Sequence, residues 1–129
     1  MQAKSTLMVA AIAGFSAVAL GAFGAHGLKQ VLSPDMMEVY RTAVLYHLVH
    51  AVALLALAAW QFVAPNRWLS VSAMLMVAGL ILFSGSLYAL TLSGIRMLGM
   101  ITPIGGVSWL IGWALLLVAA SKLKTPEHS

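Results

Sequence analysis

The chain has 129 residues, of which 62% are hydrophobic and 8% charged, against about 25% charged in an ordinary soluble domain. That balance excludes a soluble globular fold and leaves room for about four membrane spans, each needing roughly 20 helical residues to cross a hydrocarbon core of about 30 Å. The net charge of +4 comes from seven Lys and Arg spread singly along the chain, without the clustering that nucleic-acid binding requires. The absence of cysteine removes disulfides, thiolate nucleophiles, cysteine zinc sites and iron–sulfur ligation together.

An uncharged apolar run from Leu7 to Ala25, between Lys4 and Lys29, predicts the first spanning helix. It is longer than the apolar region of a cleavable signal peptide, so the run is expected to stay in the membrane. Ala10 and Gly14, then Ala17, Gly21 and Ala25, sit four apart and offer a face for close helix approach. Gly27, in GAFGAHGLK, predicts a left-handed stop that leaves His26 near the membrane surface.

Ser33, Pro34 and Asp35 read as the cap, first residue and first-turn acid of a second helix. It is amphipathic through Arg41, apolar from Thr42 to about Val63, and stopped by Pro65, with Trp60 and Trp68 at that interface. The third span runs from about Trp68 to Leu92. Ser72, Gly79, Ser86 and Ser93 recur every seven residues, a small-residue seam of left-handed packing. Ser84 and Ser86 are expected to bond back to carbonyls of their own helix. After SGIRMLGM, Thr102 and Pro103 predict the cap and first position of a fourth helix ending near Ser121, before a frayed tail to Ser129.

The predicted architecture is an all-α, four-helix transmembrane bundle with short loops, one domain over 1–129 with spans near 5–27, 34–64, 68–93 and 103–122. Both termini then share a side. Lys4, Arg67, Lys122 and Lys124 on that side, against Lys29, Arg41 and Arg96 on the other, favour cytoplasmic termini by one residue. Such a chain contacts membrane lipids, and its seams are suited either to the bundle interior or to a homo-oligomer or partner membrane protein.

The polar focus is YHLVH. At about 100° per residue, Tyr46, His47 and His50 fall within a sector of roughly 100° on one helix face. A neutral imidazole keeps a donor and an acceptor to satisfy, so this face is expected to turn toward other helices. Helix directions bring His26, Tyr46, His47, His50, Tyr88, Thr91, Arg96 and Thr102 to the half away from the termini, where they are expected to line one interior polar cluster in that leaflet.

Three readings follow. The groups bond one another and fix the register of the bundle; they form a pocket for a lipid headgroup, a quinone-like molecule or a partner helix, with Arg96 holding a polar head; or His26, His47 and His50 hold a metal, for which zinc or copper suits imidazole. Haem would need an axial pair across helices, and the methionines are dispersed. A hydrolase lacks its nucleophile elbow. Ion-coupled transport lacks an intramembrane carboxylate and an inverted repeat. No catalytic residue is indicated, and enzymatic activity is not expected.

GAFGAHGLK at Gly21 to Lys29, YHLVHA at Tyr46 to Ala51, FSGSLY at Phe83 to Tyr88 and ITPIGG at Ile101 to Gly106 together resemble the YgdD/YwdK-like small membrane proteins. This family of unknown function has relatives in bacteria and in mitochondria-bearing organisms. The four motifs occur in order over nearly the whole chain. The resemblance implies a four-helix inner-membrane protein and supplies no substrate, reaction or cofactor. His26, Tyr46, His47, His50, Tyr88, Thr102, Pro103, Gly105 and Gly106 lie within the matched motifs.

Overall fold

The computed structural model describes residues 1–124, so positions 125–129 of the expected frayed tail lie outside the described residues. Four long apolar helices form the fold: α1, Ala3–Leu28; α2, Pro34–Val63; α3, Arg67–Ser93; and α4, Thr102–Ser121. At 1.5 Å per residue each is long enough to cross a bilayer core, and no strand occurs among the described residues. The outer surface carries apolar side chains such as Ile12, Phe15, Val52 and Leu110, as a lipid-facing surface must.

Local chemistry sets most helix ends. The Ser33 hydroxyl accepts from the Met36 N–H at 3.2 Å, Pro34 follows and Asp35 faces the positive helix end. Asn66 caps α3 by accepting from the Leu69 N–H at 3.0 Å. Gly94, at φ 77°, is the one positive-φ residue among the described residues, and its N–H closes α3 on the Leu90 carbonyl at 2.8 Å. Gly27 is therefore not the left-handed stop that its sequence predicted. The chain there stays right-handed and widens into a π-turn over Gly24–Leu28.

A second π-turn, Leu80–Gly85, interrupts α3. Both turns shift the faces of the residues beyond them relative to an uninterrupted α-helix, which apolar periodicity alone does not reveal. A 3-10 turn at Arg96–Met100 leads into α4. Ile101, not Thr102, occupies the cap position of α4, and no side chain caps this end. Thr102 is already helical, and its hydroxyl lies 2.6 Å from Ser86 Oγ on α3. Because Ser86 spends its own hydrogen on the Phe83 carbonyl, Thr102 is the donor in this bond, which pins the start of α4 to α3.

The helices pair as two hairpins. α1 lies along α2 through buried Ala10, Ala13 and Ala17, and α3 lies along α4. In the second hairpin Ser72 donates to the Gly112 carbonyl at 2.8 Å, Ser108 donates to the Leu75 carbonyl at 2.7 Å, and the Trp109 indole covers Gly79. Three of the four seam residues, Ser72, Gly79 and Ser86, thus face α4 of the same chain, while exposed Ser93 bonds to Ala89 in its own helix. Gly105 meets the backbone of Phe83, so a Cβ there would overlap it. The hairpins meet where α2 crosses the π-turn of α3. There Ser84 donates across to the Ala43 carbonyl at 2.9 Å rather than back into its own helix; Ser86 does bond back, to Phe83, at 2.9 Å.

Candidate functional site

His47 and His50 flank the middle of α2 and are 5% and 4% exposed, yet they serve different neighbours. His47 Nε2 lies 3.1 Å from Ser16 Oγ on α1, and Nδ1 lies 2.8 Å from the Tyr88 hydroxyl on α3. Ser16 spends its own hydrogen on the Ala13 carbonyl at 3.0 Å, so its oxygen accepts from His47 Nε2–H. Tyr88 then donates to Nδ1. This assignment, made from the network, satisfies every partner and ties α1, α2 and α3 together. Tyr40, 1% exposed, stands edge-on to Tyr88 at 5.4 Å and donates to the Leu20 carbonyl at 2.5 Å.

His50 carries the opposite tautomer. Its Nδ1 lies 2.9 Å from the Tyr46 carbonyl, which only accepts, so Nδ1 bears the hydrogen. Nε2 then accepts from the Trp113 indole N–H at 3.1 Å, and that N–H only donates. The ring lies flat on Trp109, 3.7 Å between centroids and 4° from parallel. Trp109 in turn donates to the Met76 carbonyl at 3.0 Å. This second network ties α2 to α4 and, through Trp109, to α3.

Beside it, Tyr46, Phe83, Trp109 and Trp113 wall an open groove of about 380 Å³, whose lining also includes Gly106 and Val107 of α4. Tyr46 packs on Phe83 at 5.0 Å and on Trp109 at 5.9 Å. It is 42% exposed, and its hydroxyl makes no hydrogen bond among the described residues.

The sequence-derived site residues separate accordingly. His47 and Tyr88 meet directly; His50 and Tyr46 meet through ring and backbone; Thr102 pairs with Ser86. His26 and Arg96 are exposed and join neither network. His26 rides the π-turn at the end of α1, and Arg96 follows the left-handed turn at Gly94, where the chain has left the packed interior. Both were expected inside; both chain turns carry them out. Tyr46, His47 and His50 share a face, but it is broad enough that its two imidazoles reach different helices. Among the described residues no three of His, Cys, Asp or Glu gather in a metal-binding group, and His47 and His50 have both ring nitrogens engaged. The set of His26, His47 and His50 as metal ligands is not assembled.

Sequence reasoning passed over Ser16, Tyr40, Trp109 and Trp113. For the tryptophans the available signal was their i, i+4 spacing on a predicted helix, which places two indole N–H donors on one stripe. For Ser16, a hydroxyl on an otherwise alanine-rich face, nothing pointed to a partner.

The family described as "Protein of unknown function (DUF423)" matches residues 20–106. The chain is 44% identical over 124 residues to UPF0382 inner membrane protein YgdD of Escherichia coli (strain K12), covering 96% of this chain and 95% of that protein. It is 42% identical over 123 residues to UPF0382 membrane protein YwdK of Bacillus subtilis (strain 168), covering 92% of this chain and 98% of that protein. No solved structure matches. With this family matching most of the chain and these relatives aligning over almost their full length, the protein belongs to the DUF423 family and is related to the UPF0382 membrane proteins.

Proposed function

We propose that the protein is a non-catalytic lipid-binding module of the inner membrane, the location named for its relative YgdD. In this reading the His47 and His50 networks are a fixed frame joining the two hairpins, and the aromatic groove beside them takes a lipid from the bilayer. One observation carries it: both imidazoles are saturated inside the protein, while the aromatic wall next to them is open, with Tyr46 presenting a free hydroxyl. Lipid hydrocarbon packs on the four rings, and the hydroxyl offers one donor to a carbonyl or similar acceptor on that lipid.

Native mass spectrometry after extraction in mild detergent tests the reading. The wild-type chain should retain a lipid in this groove, identified as the bound mass that disappears when the groove is filled. Gly106→Leu, which fills the groove where the nearest ring carbon stands 3.8 Å from a built Cβ, should lose it while circular dichroism stays helical. Equal retention by the Leu variant, or none by the wild type, overturns lipid binding in this groove.

A further inference from the structure

Along the seam of α1 and α2 lies a groove of about 410 Å³ that shares only Tyr40 with the networks above. Gly21 and Gly24 leave its α1 wall low: a Cβ at Gly21 would stand 3.2 Å from Val44, and one at Gly24 would overlap the Tyr40 ring. Its α2 wall runs through Arg41, Val44, Leu45 and Leu48, at i, i+3, i+4 and i+7 and hence along one helix stripe, descending roughly 10 Å from the arginine at 1.5 Å per residue. Lys29, just beyond the π-turn of α1, stands with Arg41 at the mouth. The lining holds these two cations and no carboxylate.

We infer that this groove is a binding site for one anionic phospholipid, with the phosphate held between Lys29 and Arg41 and an acyl chain laid along Val44, Leu45 and Leu48. The order of chemistry down the groove matches that occupant: two positive charges at the end nearest the membrane surface, then uninterrupted apolar wall toward the interior. Guanidinium and ammonium both bind phosphate, the former with two parallel N–H donors. A zwitterionic lipid presents the same chains but adds a cation against these two. The basic pair therefore selects headgroup charge, and the apolar stripe selects a lipid over a free anion.

The experiment places the full chain in nanodiscs of phosphatidylcholine containing a minor share of phosphatidylglycerol and counts the lipids that stay bound on release into native mass spectrometry. Arg96 lies at the same end of the bundle but outside the groove, and R96Q is the control for diffuse surface attraction. The wild type should retain phosphatidylglycerol in preference to phosphatidylcholine. With each basic residue contributing about fivefold near an anionic lipid, the double variant K29Q/R41Q should weaken that preference by about tenfold or more, and R96Q should leave it within about twofold. Both substitutions fall on exposed side chains, and circular dichroism checks that helicity is kept. Three results overturn the site: no preference in the wild type, an unchanged preference in K29Q/R41Q, or an equal loss in R96Q. The Leu variant at Gly106 should keep this lipid, so failure here and failure of the aromatic groove read out separately.

Discussion

The imidazole of His50 and the indole of Trp109 stack at 3.7 Å with their planes 4° apart, while Trp113 closes the one remaining ring nitrogen from the edge. The stack and the edge bond hold the ring from two directions.

Removing the edge bond alone isolates its worth. Trp113→Phe keeps an aromatic wall for the groove but leaves His50 Nε2 buried without a donor. It should destabilise the fold by about 1–2 kcal/mol, the penalty for an orphaned buried acceptor. Thermal unfolding in detergent, followed by circular dichroism, measures this. An unchanged midpoint would mean that the bond does not form.

The His47 network makes a cycle. Tyr88→Phe and Ser16→Ala each remove one partner of the same ring, and each should lose about 0.6–1.7 kcal/mol, the range for hydrogen bonds between helices in membranes. Either change combined with His47→Phe should cost less than the sum of the two alone, because residues in one network do not add. Additivity would separate the ring from its assigned partners.

The glycines divide sharply. Gly79→Leu drives a side chain into the Trp109 indole, and Gly105→Ala sets a Cβ against the Phe83 backbone. Both should lose folded protein rather than an oligomer, since overpacking a tight interface commonly costs about 1–3 kcal/mol and more against backbone. Gly14 and Gly85 meet nothing within 4 Å of a built Cβ. Alanine there should be neutral or stabilise by about 0.5–1 kcal/mol through helix propensity. Size analysis with parallel circular dichroism distinguishes a lost fold from a lost assembly.

Topology is open to direct labelling because the chain has no cysteine. Pro65→Cys, between α2 and α3, and Lys124→Cys, beyond α4, should label from one side of the membrane. Gln30→Cys, between α1 and α2, should label from the other. Any other pattern contradicts a bundle of four crossings.

Helix existence was legible because composition alone demanded it. The α2 start was legible because Ser33, Pro34 and Asp35 each favour the same position for separate reasons. The π-turns were not: the apolar run continues through both, and the contacts made there, Gly24 against Tyr40 and Ser84 on the Ala43 carbonyl, come from another helix. The cap at Thr102 failed because the 3-10 turn at Arg96–Met100 carries right-handed backbone through Ile101, so that Thr102 enters already helical. For the site, the YHLVH spacing identified an inward face. It could not divide that face between Tyr88 on one side and Trp113 on the other, because the division is set by the order in which helices surround α2.

The two tautomers have an electrical consequence. From Tyr88 the donors run through His47 and Ser16 to the Ala13 carbonyl; from Trp113 they run through His50 to the Tyr46 carbonyl. A backbone carbonyl has no hydrogen to pass on, so each chain of bonds terminates within the protein. Neither begins at a carboxylate: the first donors are the Tyr88 hydroxyl and the Trp113 indole. Imidazoles within membrane helices are the usual material of proton relays; here each is held by a chain of donors that ends on a backbone carbonyl.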